Sequence, residues 1–377
     1  MTPPRVLLGL GSGTSADAVD LALIQIHGYG GNREVKSLAG GMLPLAKELQ
    51  VAVQNVADWD LADVAHWHHA FGLAFGEASA EFLATHGWQG QELFAVGSHG
   101  QTVFHHDGNH RLGTLQLGHP ALIAEAVGCQ VVGDFRWADI ALGGQGAPIS
   151  PFADWVLHRH AGQQRGILNL GGIANLTWLR GDEVPMAWDC GPANAPMDAL
   201  VRKKTDHHFD VDGALAMAGK VQPALLKEWQ QDEFFSRSLP RSTGLEHFGN
   251  RFVDAMVNSH SGMSLENQLA SLAELAAWGV ASSLQTAGWQ GGTVYVCGGG
   301  AHNPVLCQAL ERQLAEILGP ETSLAPFAEL GWDADLREAV AFALLADAFC
   351  QAEPVTGPSI SGAVRGGILG ALHLPSP

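Results

Sequence analysis

Arg165-Gly-Ile-Leu-Asn-Leu-Gly-Gly-Ile-Ala-Asn-Leu-Thr-Trp-Leu179 reads as a strand, a tight glycine turn and a second strand. The same design opens the chain, in Arg5-Val-Leu-Leu-Gly-Leu-Gly-Ser-Gly-Thr-Ser-Ala-Asp-Ala-Val-Asp-Leu-Ala-Leu-Ile-Gln-Ile26. Two glycine-tipped hairpins, each opening one half of 377 residues, predict a duplicated α/β fold in which both tips serve phosphates. The expected domains are 1–162 and 163–377, facing one cleft between them, with the last helix a candidate to return to the first domain.

Gly9, Gly11 and Gly13 invite a dinucleotide-binding reading, but that fingerprint needs a helix directly after the turn. Val19 to Ile26 instead alternates as a strand does. A Walker P-loop is excluded, because no G-x-x-x-x-G-K-[ST] occurs. What remains is a tip of small residues, hydroxyls and acids: Gly13, Thr14, Ser15, Ala16, Asp17, Ala18, Val19 and Asp20. Such a tip can set backbone N–H groups on phosphate oxygens while Asp17 holds hydrated Mg2+. An ordinary hairpin turn has the same composition.

After the second hairpin comes Trp188-Asp189-Cys190-Gly191-Pro192-Ala193-Asn194. A β-prone run delivers Asp189 to its end, Gly191-Pro192 is expected to break the strand, and Ala195 to Lys204 reads as a helix. A carboxylate so placed suits a general base, and equally suits a helix cap or Asx-turn. Between the hairpins, Leu93 to Gly97 reads as a buried strand running into a polar loop, Ser98-His-Gly-Gln-Thr-Val103. That is the usual ligand position in open α/β sheets. Arg136 sits among small and apolar neighbours, which suits either an anion in a cleft or an ion pair with Asp134 or Asp139. Thr293 to Pro304 reads as a strand, a triple-glycine turn and a proline-initiated helix, against which a flat adenine can lie.

The bulk properties narrow the class. A net charge of −18 argues against nucleic acid as a partner, and no run of 18 apolar residues suggests a membrane span. Five cysteines without a C-x-x-C pair read as reduced thiols of a cytoplasmic enzyme. His66, His68 and His69 lack a further carboxylate or thiol to complete a metal set.

Together these stretches resemble the anhydro-N-acetylmuramic acid kinase family, along nearly the whole chain. Gly13 to Asp20 is similar to its ATP-contacting hairpin, and Gly97 to Thr102, Leu115 to Gly118, Asp134 to Arg136 and Gly143 to Pro148 to its sugar-side segments. Asn169 to Asn175 and Asp189 to Asn194 match its second-domain core. The resemblance implies an actin-like (ribonuclease H-like, hexokinase-type) ATPase fold, a homodimer, and ATP with Mg2+ as cofactors. It implies that 1,6-anhydro-N-acetylmuramic acid is opened by water and phosphorylated to N-acetylmuramic acid 6-phosphate, in recycling of the cell wall. Asp189, Arg136 and Glu338 fall where the family has its catalytic groups. Gly171, Gly172, Gly298, Gly299, Gly300 and Asn303 fall on the nucleotide side, and His99, Gln101, Gln116, Asp139, Gln145, Gly146 and Pro148 on the sugar side.

Four positions depart from the family pattern: Gly11 for Met, Ala18 and Ala193 for Gly, and Arg241 for Lys. Alanine at 18 or 193 would be strained if either needed a positive φ. Other readings on the same residues are another sugar kinase of this fold, a sugar-responsive regulator, a glycosidase pairing Asp189 with Asp198, and a filament protein. The first core strand opening the chain and the strong acidity weigh against a DNA-binding regulator.

Overall fold

A computed structural model of the chain describes residues 3–13, 16–105, 113–260 and 262–377. The chain divides into two compact units: Met1–Leu157 with Asp335–Pro377, and His158–Ala334. The expected boundary lay five residues later, at 162/163.

The strands in chain order are β1 (Arg5–Gly11), β2 (Ala18–His27), β3 (Glu34–Pro44), β4 (Ala95–Ser98), β5 (Gln101–His105), β6 (Thr114–Leu117), β7 (Val131–Gly133), β8 (Gln164–Leu170), β9 (Ile173–Arg180), β10 (Met186–Pro192), β11 (Gly292–Cys297), β12 (Thr322–Pro326) and β13 (Ala371–His373). Among the described residues the first unit's sheet has the order β13-β7-β4-β1-β2-β3 and the second's the order β10-β9-β8-β11-β12. In both units an antiparallel three-strand meander is extended, beside its first strand, by two parallel strands. That shared order is the duplication expected from the two hairpins, and the actin-like fold that the family resemblance implies.

In the first unit the last helix, Arg337–Cys350, lies against the middle of the sheet. Gly9 of β1 and Gly97 of β4 are register partners, and a Cβ on either would overlap helix backbone, at Ala339 and Phe342 respectively. Glycine here is a packing requirement rather than a turn residue. Gly11 has a similar cause: a Cβ there would meet the Phe342 ring at 2.7 Å. The ring occupies the room left at a position where the family resemblance led one to expect methionine. The helix is also tied by charge, since buried Asp347 receives Arg5 Nε at 2.6 Å and Arg33 Nε at 2.8 Å.

Two expectations need correction. Gly191-Pro192 does not break β10; Gly191 and Pro192 still pair with Ala174 and Ile173, after a bulge between Asp189 and Gly191. The bulge absorbs the unfavourable residues, and Gly191 at φ +140° takes the conformation that alanine would resist. The polar stretch 98–103 is not one loop either. Ser98 ends β4, and Gln101 already begins β5, which pairs with β6 in a separate two-stranded ribbon. Neither Ala18 nor Ala193 has a positive φ, so glycine is not required at either. Among the described non-glycine residues of the first tip, Ala16, fully buried at φ +51°, takes the left-handed conformation.

Candidate active site

The first tip is held by its neighbours. Gln101 Nε2 donates to Gly13 O (3.1 Å), Ser12 Oγ to Ala18 O (2.8 Å), and Leu45 N to Asp17 O (2.9 Å). Thr14 and Ser15, proposed from sequence as phosphate contacts, lie outside the described residues. Val19 is buried in the core, whereas Asp17 is exposed and Asp20 half-buried on β2. Burial first, then the carboxylates of Glu338, Asp17 and Asp335, push the Asp20 carboxyl up to about 6. Negative charge concentrated in this way favours a bound cation.

Beyond β4 lies a second set. Arg136 donates through Nε to His99 Nε2 (3.0 Å) and through Nη1 to Gly146 O (2.9 Å). Guanidinium is a donor only, so Nε2 is the accepting nitrogen of His99 and Nδ1 carries the proton, facing Gly100 O at 3.1 Å. Burial and the adjacent cation hold the His99 ring well below its usual range, hence neutral, and it stacks on Phe342 at 4.6 Å. Burial lowers Arg136 to about 10, against the pull of the Glu338 carboxylate, and leaves it charged at neutral pH. Glu338 itself is exposed, in the first turn of the last helix.

The sugar-side residues divide by exposure. Gln116 and Pro148 are half-buried, as is Gln145, whose N–H donates to Ser361 O (3.0 Å). Gln116 Nε2 donates to Thr114 Oγ1 at 2.8 Å. Asp139 is 1% exposed and accepts from Gly146 N (2.7 Å), Thr356 Oγ1 (2.5 Å) and Ser361 Oγ (2.5 Å). Its carboxylate is committed to holding the 143–148 turn against the C-terminal segment. Gln101, 0% exposed, is likewise turned to the protein.

In the second unit the bulge in β10 leaves Asp189 half-buried between core residues Trp188 and Cys190. Its Oδ2 accepts the Thr243 N–H (2.8 Å), and its own N–H donates to Arg241 O (2.9 Å). Burial pushes the Asp189 carboxyl up to about 7, with the Glu246 carboxylate adding to the rise; the Thr243 N–H and Arg241 oppose it. A carboxylate poised near neutrality matches what general-base catalysis requires.

The second tip packs on the helix that follows β10. Asn194 and Ala195 donate their N–H groups to Gly171 O (3.1 Å) and Gly172 O (3.0 Å), and Asn194 Nδ2 reaches Leu170 O (3.1 Å) and Gly171 O (2.9 Å). The β11 turn lies alongside: a Cβ at Gly298 would overlap Asn169 and Leu170, and one at Gly300 would crowd Leu170. Gly299 faces open space, lining with Asn303, Met197, Asp198 and Phe209 a cavity of about 500 Å³. Asn303 caps the next helix through Val305 N (3.0 Å). Asp198, half-buried, is raised to about 6, mainly by burial. Thr243 is absent from the residues expected from sequence, and Asp198 enters them only as the partner of Asp189 in the glycosidase reading. As a lining residue of this cavity Asp198 has one sequence signal, its place as the i+4 neighbour of Asn194 on one helix face, and Thr243 lies 54 residues from its partner.

Two units built on one strand order, each led by a glycine hairpin with acids beside it, define a phosphotransferase of the actin-like class. The profile of the anhydro-N-acetylmuramic acid kinase family matches residues 5–375. Proteins bearing that name from Gloeobacter violaceus and Pseudomonas paraeruginosa are each 37% identical to this chain, covering 98% and 99% of it and 99% and 100% of themselves. One from Caldanaerobacter subterraneus subsp. tengcongensis is 33% identical over 98% of this chain and 97% of its own. The chain belongs to the anhydro-N-acetylmuramic acid kinase family. Among solved structures, a ROK family glucokinase from Streptomyces griseus in complex with glucose and AMPPNP is 14% identical at a TM-score of 0.40, covering 90% of this chain and 99% of that one.

Proposed function

We propose that the protein is a cytoplasmic, homodimeric, ATP-dependent kinase that opens 1,6-anhydro-N-acetylmuramic acid with water and yields N-acetylmuramic acid 6-phosphate for cell-wall recycling. The observation that carries the mechanism is the half-buried Asp189, with a carboxyl at about 7 and one oxygen fixed by the Thr243 N–H. Asp189 takes a proton from water as the water oxygen bonds to C1 and the bridging C1–O6 bond breaks. The freed O6 bonds to the γ-phosphorus, and the bond to ADP breaks. Arg136, held rigid by His99 and Gly146, supplies a fixed cation to the anionic reactants, and Glu338 the acidic neighbour that keeps it charged. Asp139 serves the sugar side by positioning the turn at Gly146.

Among the described residues no three His, Cys, Asp or Glu side chains are grouped to hold a metal ion, so Mg2+ would be held by the exposed Asp17 alone, keeping most of its waters while its charge offsets that of the phosphates. Gly13 to Asp20 and Gly171-Gly172 serve the phosphates. The cavity at Gly299 and Asn303 takes the nucleoside, against Met197 and Phe209. The deciding assay measures ADP release with and without the anhydro-sugar, and sugar opening with and without ATP. Sugar opening without ATP would indicate a glycosidase, and sugar-independent ADP release a different ATPase.

Asp198→Asn tests the nucleoside pocket. A charged acceptor for a hydroxyl or amino donor contributes about 1.5–3 kcal/mol, so ATP affinity is expected to fall roughly tenfold or more by calorimetry, with sugar affinity unchanged. An unaltered ATP Kd would take the nucleoside out of this cavity.

A further inference from the structure

One loop governs the surroundings of Asp189. We propose that Arg241 is a positioning residue, clamping the 240–244 segment so that the Thr243 N–H stays on the Asp189 carboxylate. This rests on reading Asp189 as the base.

Arg241 Nη1 donates to three carbonyls of one short turn: Phe235 O at 2.8 Å, Phe234 O at 3.2 Å and Arg237 O at 3.3 Å. Its guanidinium lies 4.5 Å from the centroid of the Phe234 ring, over the face. That turn is a firm anchor. Phe234 is 0% exposed, its N–H is held by Asp232 (2.9 Å), and Asp232 is paired with His247 Nε2 (2.9 Å). The backbone of Arg241 meanwhile runs beside β10, accepting the Asp189 N–H. Side chain and main chain of one residue thus join the anchor to the base, and Thr243 follows two residues on.

The substitution of arginine for the family's lysine has a physical reading. Three carbonyls and an aromatic face suit a planar, weakly hydrated cation with several donors. Lysine keeps the charge but presents a compact ammonium without the planar stacking face. A neutral side chain leaves the carbonyls without their donor. The charged groups acting on Asp189 are Glu246, which disfavours its ionised form, and Arg241, which favours it; Cys190 is neutral, its thiol pushed up to about 12. Loss of the clamp withdraws both the cation and the fixed N–H, so the base becomes harder to ionise.

The test compares pH profiles of kcat/KM for wild type, Arg241→Met and Arg241→Lys. In Arg241→Met the acid limb is expected to rise by about one pH unit, which lowers the rate at pH 6 about tenfold and converges toward wild type at pH 9. Arg241→Lys should shift by roughly half as much, with ATP affinity unchanged in both. A merely structural role would scale activity at every pH and leave the limb in place; an unmoved limb in Arg241→Met overturns the proposal. Should that variant not fold, Arg241→Lys decides on the same criterion. Asp189→Asn separates the two levels of inference. If it keeps the wild-type limb, the base assignment itself fails. If it abolishes the limb while Arg241→Met leaves it unmoved, only the role of Arg241 fails.

Discussion

Asp189→Asn is expected to lower kcat by about 10²–10⁴-fold, roughly 3–5 kcal/mol of transition-state stabilisation, while leaving ATP affinity unchanged. The substitution keeps shape and the bond from Thr243, since the amide oxygen still accepts, but removes the basic lone pair. In the wild type the working form is the carboxylate, so the rate should rise through about pH 7 and level above it. The variant should show no such limb. Stability should move the opposite way. A carboxyl raised in the folded state binds its proton more tightly there than in the unfolded chain, so stability is lost as pH rises from about 4 toward 7. The substituted amide carries no such penalty, and the variant should melt above wild type at pH 8 and level with it near pH 4. Lost turnover with a raised Tm at pH 8 assigns Asp189 to catalysis. Lost turnover with a lowered Tm would return it to a capping or turn role.

The fold was legible because the hairpins are local. A glycine tip between two apolar runs, at Gly171-Gly172 and at the first tip, reports strand geometry within a dozen residues, and both hairpins form as read. The bulge at Asp189 was not legible. Glycine and proline are strand breakers in most contexts, and only pairing with β9 shows that they stay in the ladder. The polar stretch after β4 misled for the converse reason. Gln101 to His105 becomes a strand through its pairing with Thr114 to Leu117, for which the polar composition of 98–103 carries no signal. Residue type identified candidate groups, but not their commitments. His99, Gln101 and Asp139 carry the side chains expected of ligand contacts, yet their hydrogen bonds hold Arg136, Gly13 and Gly146. Thr243 acts through its backbone N–H, which every residue but proline possesses, so composition has no signal for it.

Asp347→Asn is the substitution expected to cost most in stability, about 3–5 kcal/mol. Asp347 is 0% exposed and receives Arg5 Nε, Arg5 Nη2 and Arg33 Nε at 2.6, 3.2 and 2.8 Å. Asparagine removes the negative charge and leaves two desolvated guanidinium groups, with Glu353 paired to Arg33 alone. Arg5 begins β1 and Asp347 lies in the helix that begins at Arg337, so the pair joins residues 342 apart in sequence. The same helix carries Phe342 against Gly11 and His99, and Glu338 in its first turn. Loosening it should therefore lower activity even at temperatures where the protein remains folded. For a unit of this size the loss corresponds to a Tm decrease of roughly 10 °C. Calorimetry checks the value, and a loss under about 1 kcal/mol would show that water reaches the arginines and that the network is not a closed one. A matched replacement isolates the cause. Arg5→Met, Arg33→Met and Asp347→Leu together, with Glu353→Gln, remove every charge at once and should recover most of the loss, because the penalty lies in buried charge left without a partner rather than in the ion pairs themselves.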